Sequence, residues 1–248
     1  MNDSIGASRG RQQAPRVSDT PVWRLAATPF NIELWLVDLA RAPVTPALLS
    51  RAELARAARF VFDADRQKYL AAHCALAELL AARLAVPGGH LEFQLGPHDK
   101  PRLSPAYDCM FNMSHCDDLA LIGIACGLPH DAEIGVDIER LREVSDARAL
   151  AAANFTAPEQ LELAGYDAAV ASRAFLRGWT RKEACLKAVG SGLTIHPATF
   201  NCGLEPGAGV TEIDGVPLEF ETLDVGAEHV AAIAITRPGM GAVRAVVH

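Results

Sequence analysis

No two of the six cysteines form a C-x-x-C pair, which removes the usual signature of a zinc site. Cys74, Cys109, Cys116, Cys126, Cys185 and Cys202 are scattered through the 248 residues, a pattern that reads as reduced thiols in a cytoplasm rather than a disulfide framework. A basic excess is missing too: 23 Lys and Arg stand against 30 Asp and Glu, for a formal charge of −7. Generic nucleic-acid binding needs the opposite sign, so any anionic ligand must be met by a local basic patch. Long apolar runs are also absent. The longest, Leu119–Leu128, falls far short of the roughly 20 residues of a membrane helix, so no membrane association is expected. Residues 1–20, rich in Ser, Gly, Arg, Gln and Pro, lack the apolar core of a signal peptide and are expected to form a disordered leader.

What is present is ordinary globular composition, with 50% hydrophobic and 21% charged residues, enough to bury one large core or two packed ones. Ile32, Leu34 and Leu36 alternate with Glu33 and Trp35 and predict a strand. Ser50 and Glu53 form a capping-box signature ahead of Leu54 and Ala57, and a longer helix is predicted from about Asp65 to Leu84, stopped by Pro87-Gly88-Gly89. Strand-like stretches follow at 91–95, 109–113, 119–126 and 133–139. A second capping box, Thr156 and Glu159, precedes a helix predicted over Ala168–Val189 and ended by Gly190. Three strands, at 218–223, 230–236 and 242–247, are expected to close the chain. Helices followed by strands thus occur twice. The expectation is an α+β fold of two similar halves, 21–128 and 129–248, with the turn-rich Gly127–Asp131 between them.

Two constellations carry polar chemistry. In Gly135-Val136-Asp137-Ile138-Glu139 a strand would set both carboxylates on one face, where they could grip a hard cation; on its own the pattern reads first as an amphipathic strand turned to water. In Phe175-x-x-x-Trp179-x-x-Lys182-Glu183-Ala184-x-x-Lys187-x-x-Gly190, Phe175, Trp179 and Leu186 follow the spacing of a buried helix face. Glu183 and Lys187, four apart, share another face, as a surface ion pair would.

Taken together these residues resemble the 4′-phosphopantetheinyl transferase superfamily. Gly135, Asp137 and Glu139 match its G-x-D-x-E strand, and Trp179, Lys182, Glu183, Ala184 and Lys187 match its W-x-x-K-E-A-x-x-K helix, in the expected order. Phe111-Asn112-Met113-Ser114-His115 resembles the family's F-N-x-S-H segment, and Lys100-Pro101 its G-K-P turn, although Asp99 stands in place of the glycine. Length is similar to the long, Sfp-type class, which implies a monomer of two α+β subdomains related by a pseudo-twofold, with coenzyme A between them.

The resemblance implies transfer of the 4′-phosphopantetheine arm of coenzyme A to a serine of an apo acyl, polyketide or peptidyl carrier protein, releasing adenosine 3′,5′-bisphosphate. Magnesium, with manganese as the alternative, would be held by Asp137, Glu139 and Glu183. Lys187 would stabilise charge on the pyrophosphate, and the general base would be Glu183 or a metal-bound water. Arg59, Arg66, Lys68, Lys100, Pro101, Ser114, His115 and Asp137 would help bind the coenzyme. Lys182 is assigned either to packing or to ligand contact. Leu141, Arg142, Phe155, Leu161 and Leu163 are candidates for the carrier dock. A hydrolase that splits coenzyme A with the same carboxylates, or a binding module that does not react, would share these residues.

Overall fold

A computed structural model describes residues 21–25, 30–87, 91–96, 98 and 100–237. The expected leader at 1–20 and the expected strand at 242–247 lie outside the described residues.

Two capping boxes start helices where the sequence predicts them. Ser50 accepts from the Glu53 N–H at 3.2 Å while Glu53 accepts from the Ser50 N–H at 2.8 Å, which opens α1 (Arg51–Ala57). Thr156 and Glu159 do the same for α4 (Ala157–Ala164). The long helix α2 runs Asp63–Leu84, two residues earlier than predicted, because Asp63 and Asp65 both suit the positive end of the helix dipole. It stops before the Pro-Gly-Gly signal, with Ala85 in the left-handed conformation at φ 53° that closes the last turn. A third short helix, α3 (Ala147–Asn154), was not foreseen. The helix α5 spans Ala168–Val189 as predicted, and Gly190 at φ 77° supplies its left-handed cap.

The strands form two four-stranded antiparallel sheets. The first has the order β1 (Val22–Arg24), β2 (Glu33–Asp38), β6 (Leu119–Cys126), β5 (Cys109–Cys116). The second has the order β7 (Ile134–Arg140), β10 (His229–Thr236), β9 (Val216–Leu223), β8 (Ala208–Ile213). A small hairpin pairs β3 (Phe93–Leu95) with β4 (Pro101–Leu103). Residues 127–133 carry the chain from the first sheet to the second.

Alternation along the strands stacks these elements into layers. Leu34, Leu36 and Leu121 from the first sheet meet Ile134, Val136, Ile138 and Ile233 from the second in a core between the sheets. The other face of the first sheet, including Val37, Ala120 and Ile122, packs on Ala72, Leu76 and Leu80 of α2. The other face of the second sheet, including Ala232 and Ala234, packs on Ala184 and Ala188 of α5. The order is helix, sheet, sheet, helix, with α3 and α4 laid against α5 through Phe155, Leu163 and Phe175. The expected α+β class is what the chain adopts.

One cysteine expectation is corrected. Cys109 and Cys126 face each other directly across β5 and β6 and are joined in a disulfide. Their separation of 17 residues hides the pair from spacing rules, and only the hairpin register reveals it. Cys74, Cys116, Cys185 and Cys202 are free. Among the described residues no helix is long and apolar enough to cross a membrane.

The layers approach closely at Gly135, where a Cβ would overlap the Ala184 carbonyl oxygen and the Ala188 backbone nitrogen. Backbone atoms cannot swing aside as a flexible side chain can. Gly135→Ala is therefore expected to cost about 1–3 kcal/mol through overpacking and to lower the melting temperature by several degrees, read by thermal denaturation.

Candidate active site

The glycine contact lays β7 directly under α5, and alternation does the rest. Ile134, Val136 and Ile138 enter the core between the sheets, so Gly135, Asp137 and Glu139 face the helix. On α5, Glu183 and Lys187 stand one turn apart on the side nearest that strand. A third element arrives from the first sheet, whose edge strand β5 brings Ser114 and His115 alongside.

The resulting contacts are short. The Lys187 ammonium donates to Asp137 Oδ1 at 2.7 Å and to Ser114 Oγ at 2.9 Å, and Ser114 Oγ donates to the same Asp137 oxygen at 2.8 Å. Asp137 is buried, and its second oxygen, Oδ2, has no hydrogen-bond partner. Glu139 is half-buried and only loosely paired, with Arg142 at 3.7 Å. Glu183 is half-buried.

Burial and then the Asp137 charge push the Glu139 carboxyl above the usual carboxylate range, against the opposing pull of Arg142 and Lys187. Burial, Asp137 and Glu139 likewise raise Glu183, and Lys187 opposes them. His115 is exposed on one side, yet loss of water around its ring, followed by the charges of Lys187, His73 and Lys68, holds its imidazole below the ordinary value.

These oxygen donors are of the kind that a hard divalent cation takes. Three carboxylates feel one another's charge, and one of them keeps an unpaired buried oxygen. Among the described residues no three acidic, imidazole or thiol groups close to ion-holding distance. The Lys187 ammonium instead supplies the countercharge at Asp137.

The other expected ligands are dispersed. Lys100 is buried, and its ammonium donates to Glu133 Oε2 at 2.7 Å, the Ile134 carbonyl at 3.0 Å and the Ala188 carbonyl at 3.2 Å, which engages all three of its N–H bonds inside the protein. Pro101 begins β4 and is exposed. Arg59 lines an open depression with Arg56 and Phe60. Arg66 is paired with Asp63 at 2.7 Å. Lys68 is paired with Asp118 at 2.9 Å, and that hydrogen bond raises its pKa. Of the residues considered for a carrier dock, Phe155 and Leu163 are core at 1% exposure, whereas Leu161 is 78% exposed and Arg142 is also at the surface.

Lys182 resolves to packing. Its ammonium, fully enclosed, meets Glu159 Oε2 at 2.8 Å and the Pro197 carbonyl at 2.8 Å, between the rings of Phe155 and Phe200. Glu159 also accepts from the Cys202 N–H at 2.8 Å, so the capping-box residue ties three segments together. Arg181 donates to the carbonyls of Cys202, Gly203, Glu205 and Gly207 and to Thr222 Oγ1. Neither Glu159 nor Arg181 is a recognisable site residue in the sequence. Asn112, which accepts from the Val136 N–H at 2.8 Å, is visible only as part of the F-N-x-S-H segment.

Comparison with known proteins identifies the family. The sequence profile of the 4′-phosphopantetheinyl transferase superfamily matches residues 133–234, which include β7 and α5. The 4′-phosphopantetheinyl transferase HetI of Nostoc sp. is 34% identical over 170 residues, covering 66% of this chain and 70% of the relative. A putative 4′-phosphopantetheinyl transferase of Synechocystis sp. is 34% identical over 171 residues, covering 65% and 66%. The transferase AcpT of Escherichia coli is 33% identical over 150 residues, covering 60% and 67%. The chain belongs to the 4′-phosphopantetheinyl transferase superfamily and is an enzyme of that transferase class.

Two outcomes are expected from these placements. Lys182→Met leaves Glu159 charged and enclosed without its partner, and should lose about 3–5 kcal/mol in denaturant titration. For pH, the raised folded-state values of Glu139 and Glu183 mean that the stability they contribute is full below the ordinary carboxylate value of about 4.3 and is lost as pH rises through the raised values. Glu183→Gln removes the Glu183 share. Without divalent ions, the melting temperature of E183Q relative to wild type should therefore climb as pH rises from about 4 to neutrality.

Proposed function

We propose that this enzyme transfers the 4′-phosphopantetheine arm of coenzyme A to a serine hydroxyl of an apo carrier protein and releases adenosine 3′,5′-bisphosphate. The observation that carries this reading is the meeting of Lys187, Ser114 and Asp137 from three different elements, beside two further carboxylates with raised pKa values.

The chemical difficulty is negative charge. The donor carries phosphates, and attack by a hydroxyl on the β-phosphate adds charge to the oxygens that are transferred and to those that leave. A magnesium or manganese ion bound by Asp137, Glu139 and Glu183 would neutralise part of that charge. Lys187 is already aimed at the same spot and contributes a fixed positive charge on the leaving pyrophosphate oxygens. Ser114 holds Lys187 and Asp137 in register. Glu183 or a water beside it takes the proton from the attacking serine. His115, favoured neutral by loss of water around its ring and then by its cationic neighbours, can donate one hydrogen bond to a phosphate oxygen. Arg59, Arg66 and Lys68, the last two already paired with Asp63 and Asp118, are the cations this reading assigns to the nucleotide end.

Because enzyme and carrier are both acidic under this reading, docking rests on local contacts such as Arg142 and Leu161 rather than on net charge. The reading also takes the chain as a cytoplasmic monomer of the long class, with halves at 21–128 and 129–248 related by a pseudo-twofold.

The test mixes purified protein, magnesium, coenzyme A and an apo carrier protein and weighs the carrier by mass spectrometry. Gain of one phosphopantetheine group is expected. Cleavage of coenzyme A with no gain on any carrier would make the protein a hydrolase, and no reaction would make it a binding module. Glu183→Gln should abolish transfer with less than about 1 kcal/mol change in stability, and near wild-type transfer by this variant would remove Glu183 from the chemistry.

A further inference from the structure

The edges of the two sheets meet beside the site without forming a backbone ladder. β5 is the last strand of its sheet, and β7 is the first strand of the other. An edge strand leaves alternate N–H groups without partners, and a buried one left unpaired is costly. Side chains from one face of β5, two residues apart, cross the gap instead. Asn112 Oδ1 accepts from the Val136 N–H at 2.8 Å, Ser114 Oγ donates to Asp137 Oδ1 at 2.8 Å, and Cys116 Sγ accepts from the Arg140 N–H at 3.2 Å.

These three rungs differ in what they control. The Cys116 rung lies past Glu139, at the end of β7. The Ser114 rung is part of the charged cluster itself. The Asn112 rung grips the backbone one residue before Asp137 while touching no charged group of the cluster. On the face toward the helix, β7 is pressed against α5 at Gly135 with no space for even a methyl group. The strand is thus held from two sides at 135 and 136, and Asp137 is the next residue out. A backbone N–H can only donate, so the Asn112 atom facing it is the carbonyl oxygen. An amide oxygen satisfies that donor without adding another negative charge to a site that already holds three carboxylates.

We propose that Asn112 is a positioning residue: by accepting the hydrogen bond of the Val136 N–H it fixes the β7 edge against β5, and so sets where the Asp137 carboxylate stands relative to Ser114 and Lys187. This rests on the transferase reading above. Asn112 touches neither donor nor acceptor; it acts through Asp137. Outer partners of metal-binding carboxylates typically change affinity or activity by 10- to 100-fold when removed.

The experiment measures Mn2+ binding to the full-length protein in the presence of coenzyme A, by paramagnetic resonance of the free ion, together with the melting temperature and the transfer kinetics. Asn112→Ala should weaken Mn2+ binding by about tenfold or more and lower kcat by a similar factor, with KM for coenzyme A changed less than about threefold. Asn112→Asp keeps an acceptor at the same reach and should hold Mn2+ at least as tightly as wild type. Cys116→Val opens the far rung; it should lower the melting temperature while leaving Mn2+ binding unchanged. The proposal is overturned if N112A binds Mn2+ like wild type, if N112D is as weak as N112A, if C116V weakens the ion as much as N112A, or if N112A does not fold, which would assign Asn112 to the fold. Failure of the wild-type protein to bind Mn2+ or to transfer would instead overturn the transferase reading.

Discussion

Everything in the candidate site depends on how closely α5 approaches β7, and that distance is set by the missing side chain at position 135. A Cβ there would collide with helix backbone, so the glycine lets a strand and a helix touch almost directly. Once they touch, the two periodicities determine the rest. A strand repeats every two residues and a helix about every three and a half, so Asp137 and Glu139 on one and Glu183 and Lys187 on the other come to face a shared space. Widening the layer contact by one methyl group would move all four groups together. The spacing of the chemistry and the spacing of the core are one constraint.

Charge arrangement follows from that closeness. Burial first, and then repulsion among carboxylates brought near one another, makes Glu139 and Glu183 hold protons more tightly than free glutamates do. Lys187 opposes the repulsion at all three carboxylates, but its hydrogen bond reaches Asp137 only through Oδ1 and leaves Oδ2 buried and unpaired. Such an arrangement is under-neutralised on its own. An anionic substrate alone would make it worse, and one arriving with a divalent cation would make it better, so under the proposed reaction the ion and the pyrophosphate would favour each other's binding.

Much of this was legible in the sequence because the signals are local. Ser50 with Glu53 and Thr156 with Glu159 fix helix starts through bonds three residues apart, and Gly190 fixes an end through its own backbone freedom. The alternation of Ile134, Val136 and Ile138 with Asp137 and Glu139 was enough to put both acids on one face. What the sequence hid is non-local. The Cys109–Cys126 disulfide depends on hairpin register. Two local signals are weak as well: β8 has a mostly exposed pattern, and α3 spans only 8 residues and its N-cap Asp146 makes no side-chain capping bond. Glu159 was legible as a cap but not as the buried partner of Lys182, since that pairing spans 23 residues and two helices.

The lysines show how the same side chain is put to two uses. Only four occur in the chain, at 68, 100, 182 and 187. Two are enclosed, and each secures α5. Lys182 fastens its middle to α4 and to the segment near Phe200, whereas Lys100 fastens its C-terminal turn to β7 through the Ala188 and Ile134 carbonyls. A compact ammonium with three divergent donors can be saturated inside such a small space, and a planar guanidinium would need a wider slot. Lys182 and Lys187 are five residues apart, about 140° around the helix, so a beam clamped through the first necessarily turns the second toward β5 and β7. The burial of Lys182 and Lys100, which looks like a loss of two candidate ligands, is what holds Lys187 and Glu183 in place for the chemistry.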